Sequence, residues 1–148
     1  MRVAVAADEL TGVAELIPEE LRSRGHEPIL HGAYTPAERS DWAWASEQAA
    51  LEVVAGRAEQ AVVACWTGTG ASIAANKVQG IRAALCGDAQ TARGARRWND
   101  ANVLALSLRL TSHAALQEIL DAWFAAGVSG EREDIENIEH VSEIESAS

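Results

Sequence analysis

Short apolar runs alternate along the chain with longer segments whose apolar residues recur every three or four positions. Arg2–Ala7, rich in Val and Ala, predicts a buried strand. In Gly12–Arg24 the apolar positions Val13, Leu16, Ile17 and Leu21 mark one helix face. Pro18 fits badly in the middle of that helix, so a kink or a late start is expected, with Gly25 as a left-handed cap. Glu27–Leu30 predicts a second strand, and Asp41–Ala55 a helix closed by Gly56. Gln60–Cys65 predicts a third strand, followed by a glycine-rich turn and a helix over Ser72–Val78. A fourth strand at Arg82–Cys86, a helix at Ala89–Arg97 and a fifth strand at Val103–Leu106 come next. Ser112–Ala125 is a strong helix, with Leu116, Ile119, Leu120 and Trp123 in register, and Asp134–Ile144 is a last helix or a partly ordered arm. Strands alternating with helices at this spacing imply an α/β fold, with a parallel sheet and helices on both faces. Ligands in such folds bind beyond the carboxyl ends of the strands. The residues to examine are therefore Asp8 and Glu9, Cys65 to Gly70, Gly87 and Asp88, and Ser107 to Arg109.

With 148 residues, 48% of them hydrophobic and 23% charged, the chain suits one globular domain. The net charge of −10 argues against a nucleic-acid or anionic-membrane partner, because phosphate binding needs a cationic footprint. Part of the excess lies between Glu131 and Glu145, where a solvated face or tail is the default reading. No apolar run is long enough to span a bilayer and the first residues do not read as a signal peptide, so a cytoplasmic location is expected. Cys65 and Cys86 form no CxxC pair, and the four histidines lack zinc-ligand spacing, so neither a disulfide nor a metal is expected.

The most informative stretch is Cys65-Trp66-Thr67-Gly68-Thr69-Gly70-Ala71-Ser72-Ile73-Ala74-Ala75-Asn76-Lys77. It leaves a strand, turns through two glycines and enters a helix whose first N–H groups could hold an anion or an oxyanion. It fits neither the GxxxxGK[ST] phosphate cradle nor the dinucleotide fingerprint, and pattern alone leaves a plain tight turn open. A thiol beside such donors could act as base or nucleophile, while cysteine in general packs as a small apolar residue. Cys86 lacks a glycine loop and reads as structural.

That stretch resembles the ribose-5-phosphate isomerase type B family and the related galactose-6-phosphate isomerase subunits. The resemblance continues through Gly80–Cys86, Asn99–Leu104 and Asp121-Ala122-Trp123, and so covers nearly the whole chain. It implies a Rossmann-like three-layer αβα domain over 1–148 with a five-stranded parallel sheet. A C-terminal helix or arm over about 128–148 would contact a partner subunit in a homodimer or higher homo-oligomer. It also implies proton transfer between the first two carbons of an open-chain sugar phosphate through an enediolate, without a cofactor. By matching position, Cys65 would be the base and Thr67 would bond near the moving proton. The N–H groups of Gly68–Gly70 would hold the enediolate oxygen. Asp8 and Asn99 would hold hydroxyls, and Arg109 and Arg132 the phosphate, the latter from the neighbouring subunit. Glu9, Ser72 and Trp98 complete the implied substrate-contacting set. Among the residue-level alternatives, Asp8 could be a helix cap and either arginine a surface ion pair.

Several positions depart from the family pattern. Glu9 replaces a histidine, Trp66 a glycine, and Trp98 the histidine that assists ring opening in the pentose enzymes. Glu133 and Glu136 stand where the family has a histidine and an arginine. Tryptophan cannot transfer protons, so a sugar too short to cyclise, or one differently charged, is the implied substrate. A sugar-binding homologue without turnover, and one subunit of a two-chain isomerase, remain as alternatives. Trp42, Trp44 and Trp123 read as core or dimer-interface packing.

Overall fold

The computed structural model describes residues 1–147. Five parallel strands, β1 (Arg2–Ala7), β2 (Glu27–Gly32), β3 (Gln60–Cys65), β4 (Ala83–Leu85) and β5 (Val103–Ser107), form one sheet in the order β2-β1-β3-β5-β4. The helices are α1 (Leu16–Ser23), α2 (Trp42–Val54), α3 (Thr69–Asn76), α4 (Ala89–Asn99), α5 (His113–Ala125) and α6 (Arg132–Ser146). The expected three-layer Rossmann-like architecture is present. Central strands of such a sheet are covered on both faces, which is why β3 and β5 are apolar apart from Gln60 and Ser107 and buried at every position.

Strand alternation sends the two faces to different helices. Val3, Val5, Val62, Leu104 and Leu106 pack with Ile17, Leu21, Ala92, Leu116, Ile119 and Trp123 from α1, α4 and α5. Ala4, Ala6, Val63, Cys65 and Ala105 pack with Ala45, Ala49, Ala71 and Ala75 from α2 and α3. The second face is built almost wholly of alanine, so α2 and α3 lie close to the sheet and to each other. The indole N–H of Trp123 donates to Gln60 Oε1 at 2.8 Å, satisfying both buried polar groups.

Element boundaries depart from the sequence expectation where side chains intervene. A 3-10 turn over Gly12–Glu15 precedes α1, which puts Pro18 in the first helical turn, where an N–H has no acceptor to lose. The late start is thus the outcome, and Gly25 takes φ of 82° after the helix. Strand β4 is shorter than the expected Arg82–Cys86. Asn102 Oδ1 accepts from the Arg82 N–H at 2.8 Å, while the Asn76 carboxamide pairs with both backbone groups of Ala83, at 2.8 and 3.0 Å. Asn76 thereby caps one edge of the sheet. The acidic C-terminal segment is a full helix, with Glu133 and Asp134 in its first turn, where the helix dipole favours negative charge. Its approach to α4 is fixed by the Ser129 N–H donating to the Arg97 carbonyl at 2.8 Å. Trp42 and Trp44 are 45% and 46% exposed, so the core placement holds for Trp123 alone. Among the described residues no helix is long and apolar enough to cross a membrane.

Candidate active site

The chain leaves β1 towards β2 on one side and leaves β3 towards β5 and β4 on the other, so the carboxyl ends of β1 and β3 flank the switch point of the sheet. The register pairs Ala7 with Ala64, which makes Asp8 and Cys65 the next residues across. Cys65 follows Val63 onto the face covered by α2 and α3, and its side chain sits at 4% exposure among Ala71, Ala75 and Ala105. The thiol is therefore shielded from water beneath the first turn of α3.

Gly68 is the residue before α3 and takes φ of 77°, a conformation that favours glycine. A Cβ there would lie 2.5 Å from Leu85 Cδ1 and 2.8 Å from the Leu106 carbonyl carbon, so the backbone runs directly against β4 and β5. The first helical bond of α3 joins the Ser72 N–H to the Gly68 carbonyl at 3.1 Å. The N–H groups ahead of it have no helical acceptor. Carbonyls on the loop are, by contrast, tied down. Cys65 O accepts from the Leu108 N–H at 3.0 Å. Trp66 O accepts from the Arg109 N–H at 3.0 Å and from the Ser107 hydroxyl at 3.1 Å. The loop is thus anchored to the end of β5 by its acceptors, while its donors are left for a ligand. The Thr67 and Thr69 hydroxyls share a hydrogen bond at 2.7 Å beside them.

Asp8 does not cap a helix. Its Oδ1 is buried without a hydrogen-bond partner. Burial holds the Asp8 carboxyl above its usual range, with the charges of Glu9 and Asp41 adding to the effect. Arg109 is exposed on the same rim, and its guanidinium forms no ion pair among the described residues. Ser72 is half-buried in the first turn of α3, and Glu9 is exposed next to Asp8. These residues occupy one edge of the sheet.

Trp98, Asn99 and Arg132 do not join them. Helix α4 starts after β4 at the carboxyl edge and returns the chain to the start of β5. Its eleven residues rise about 16 Å, leaving Trp98 and Asn99 at the amino edge. There they line a cleft of about 370 Å³ with Asn76, Ile81, Asn137 and Val141. Arg132 is also on that side, 91% exposed and paired with Glu136 at 2.7 Å, which is the surface ion pair that its residue type alone suggested. Two residues of the carboxyl edge have roles the sequence does not assign: it marks Ser107 only as a strand-end position and Trp42 as packing. Ser107 holds the loop carbonyl, and Trp42 lies against Gly70, where a Cβ would be 2.9 Å from the indole ring. The strand-end position of Ser107 points to it without giving its role; no local pattern distinguishes Trp42 from a core residue.

Residues 3–141 match the Ribose/Galactose Isomerase family. Ribose-5-phosphate isomerase B of Escherichia coli is 38% identical over 129 residues, 87% of this chain and 85% of that one. D-erythrulose-4-phosphate isomerase of Pectobacterium atrosepticum is 43% identical over 75 residues, about half of each chain (51% and 49%). The ribose-5-phosphate isomerase B structure from Clostridium thermocellum superposes with a TM-score of 0.90 at 35% identity, covering 99% of both chains. A family match over nearly the full length, a shared fold and a glycine loop that directly follows a strand-end cysteine agree: the chain belongs to the ribose/galactose isomerase family of enzymes.

Proposed function

We propose that this isomerase interconverts an aldose and a ketose by moving a proton between the first and second carbons of a short open-chain sugar phosphate. The observation that carries the reading is that Cys65 is buried in one cluster with Ala71 of the first turn of α3, a helix whose first N–H groups have no helical acceptor. In the aldose-to-ketose direction the Cys65 thiolate takes the proton from C2. The electron pair forms the C1–C2 double bond, and negative charge collects on the former carbonyl oxygen. The Gly68–Gly70 amides stabilise that charge, worth about 3–4 kcal/mol per donor in comparable oxyanion holes. The proton returns from Cys65 to C1 once the hydroxyl proton has passed between O2 and O1, so no atom or electron is left over. Thr67 donates near that exchange, Asp8 accepts from a sugar hydroxyl, and Arg109 faces the phosphate.

The substrate in this reading is a four-carbon sugar phosphate. Trp98 has no transferable proton for ring opening, and a tetrose 4-phosphate cannot close a furanose ring because its terminal oxygen is esterified. The similarity to an erythrulose-4-phosphate isomerase supports the same length. The amino-edge residues Trp98 and Asn99 serve the site of a second subunit in a homodimer, with α6 at the contact. Their separation from Cys65 within one chain supports this arrangement. The test is turnover of erythrose 4-phosphate, ribose 5-phosphate and a hexose 6-phosphate by the purified protein. The tetrose should give the highest kcat/KM; binding without conversion of any of the three would replace the isomerase by a sugar-binding homologue.

A further inference from the structure

We infer that Trp42 is a wall of the active site that sets the length of the sugar, an inference that rests on the isomerase reading above. Helix α2 begins at the carboxyl edge, beside the first turn of α3 and on the same alanine-lined face of the sheet as Cys65. The six-membered ring of Trp42 lies 2.9 to 3.2 Å from the place a Gly70 Cβ would occupy, so indole and glycine loop are in direct apposition. The residue before it, Asp41, is near enough to Asp8 for its charge to raise the Asp8 carboxyl. Trp42 therefore touches the glycine loop through its ring and directly follows a residue whose charge reaches the Asp8 carboxylate.

Its placement is not explained by core packing, since 45% of the residue is exposed. The turn leading to it is stiffened from its own side. Arg39 binds Asp41 at 2.8 Å and lays its guanidinium 3.4 Å from the centre of the Trp44 ring. An indole held in this way offers the C–H face of a sugar an apolar surface and keeps water off the amides on one side. It also takes up the volume that the fifth and sixth carbons of a longer sugar would need. Trp42 then acts as a specificity-determining contact, and Gly70 is required because the ring leaves no room for a side chain.

The experiment compares kcat/KM for erythrose 4-phosphate and ribose 5-phosphate in wild type, Trp42→Phe and Trp42→Ala, with assembly size measured for each. Ligand-induced change in tryptophan emission is recorded in the same set. The expected result is a shift of the tetrose-to-pentose ratio towards the pentose by about tenfold in Trp42→Ala and less in Trp42→Phe. The emission change on saturation with erythrose 4-phosphate should be lost in Trp42→Phe. Equal loss on both substrates, with or without a change in assembly size, overturns the inference and makes Trp42 a packing or interface residue. Should wild type convert neither sugar, the isomerase reading fails. The emission readout then decides separately: a Trp42-dependent change keeps Trp42 in the binding site, and its absence removes it.

Discussion

A carboxylate oxygen that has left water without gaining a hydrogen bond destabilises the ionised form, and Asp8 Oδ1 is in that position. Burial is the main cause of its raised pKa and the charge of Glu9 the next. If ionised Asp8 holds a sugar hydroxyl, kcat/KM falls as pH drops through that raised value. Glu9→Gln removes a negative neighbour, so the acid limb of the pH–rate profile should move to lower pH, and an unmoved limb would detach Asp8 from it. Arg109 is the exposed cation on the same rim. Arg109→Ala should raise KM for a sugar phosphate by roughly tenfold to a hundredfold, the worth of a charge-assisted contact. An unchanged KM would place the phosphate elsewhere. Both residues were legible as strand-end positions. The direction in which Asp8 is perturbed was not, because it comes mainly from burial, a property of the folded chain that no local pattern displays.

At the scale of elements, the glycine loop is the feature whose geometry is most constrained. Gly68→Ala must place a Cβ into Leu85 and the Leu106 backbone at a φ of 77°, a conformation that alone costs about 1–3 kcal/mol. Thermal denaturation should show a lowered Tm together with lost activity, and an alanine variant of native stability would contradict the observed packing. Glu20 on α1 is tied to α5 through His113 at 2.8 Å and Gln117 at 3.2 Å, and to Arg24 at the end of its own helix at 2.7 Å. The His113 bond, followed by that of Arg24, lowers its pKa from 4.5 to about 2. Its stabilising effect is then full above about pH 4.5 and is lost as pH falls towards 2. Glu20→Gln should cost about 1–2 kcal/mol at pH 7 and little near pH 2, measured by urea denaturation. Periodicity located every strand and helix, because one-face apolar spacing is a local property. It missed the true start of α3. Gly70 looks like a turn residue, and only the ring of Trp42, packed from another element, explains a glycine inside the helix.

For the whole molecule, the order β2-β1-β3-β5-β4 explains why the motifs of the sequence form two groups instead of one site. Asp8, Cys65, the glycine loop and Arg109 follow strands, while Trp98 and Asn99 end a helix and reach the opposite edge. Sequence order revealed the members of the set but not this division, which arises from the direction in which α4 crosses the sheet. A homodimer with shared sites predicts complementation. If Cys65→Ala and Asn99→Ala are each inactive, refolding them together should restore activity in mixed dimers, where one site receives both intact residues. No recovery on mixing would require all contacts to come from one chain.

The central claim is that a shielded thiolate transfers the proton across the face of a loop-bound enediolate. Proton NMR of erythrose 4-phosphate in deuterated buffer, with wild type and Cys65→Ala side by side, reads both conversion and hydrogen exchange at C1 and C2. The account predicts conversion with exchange in the wild type, and loss of both by about 100-fold to 10,000-fold in a folded Cys65→Ala protein, the range for removal of a general base. Conversion by Cys65→Ala within a few-fold of wild type would contradict it.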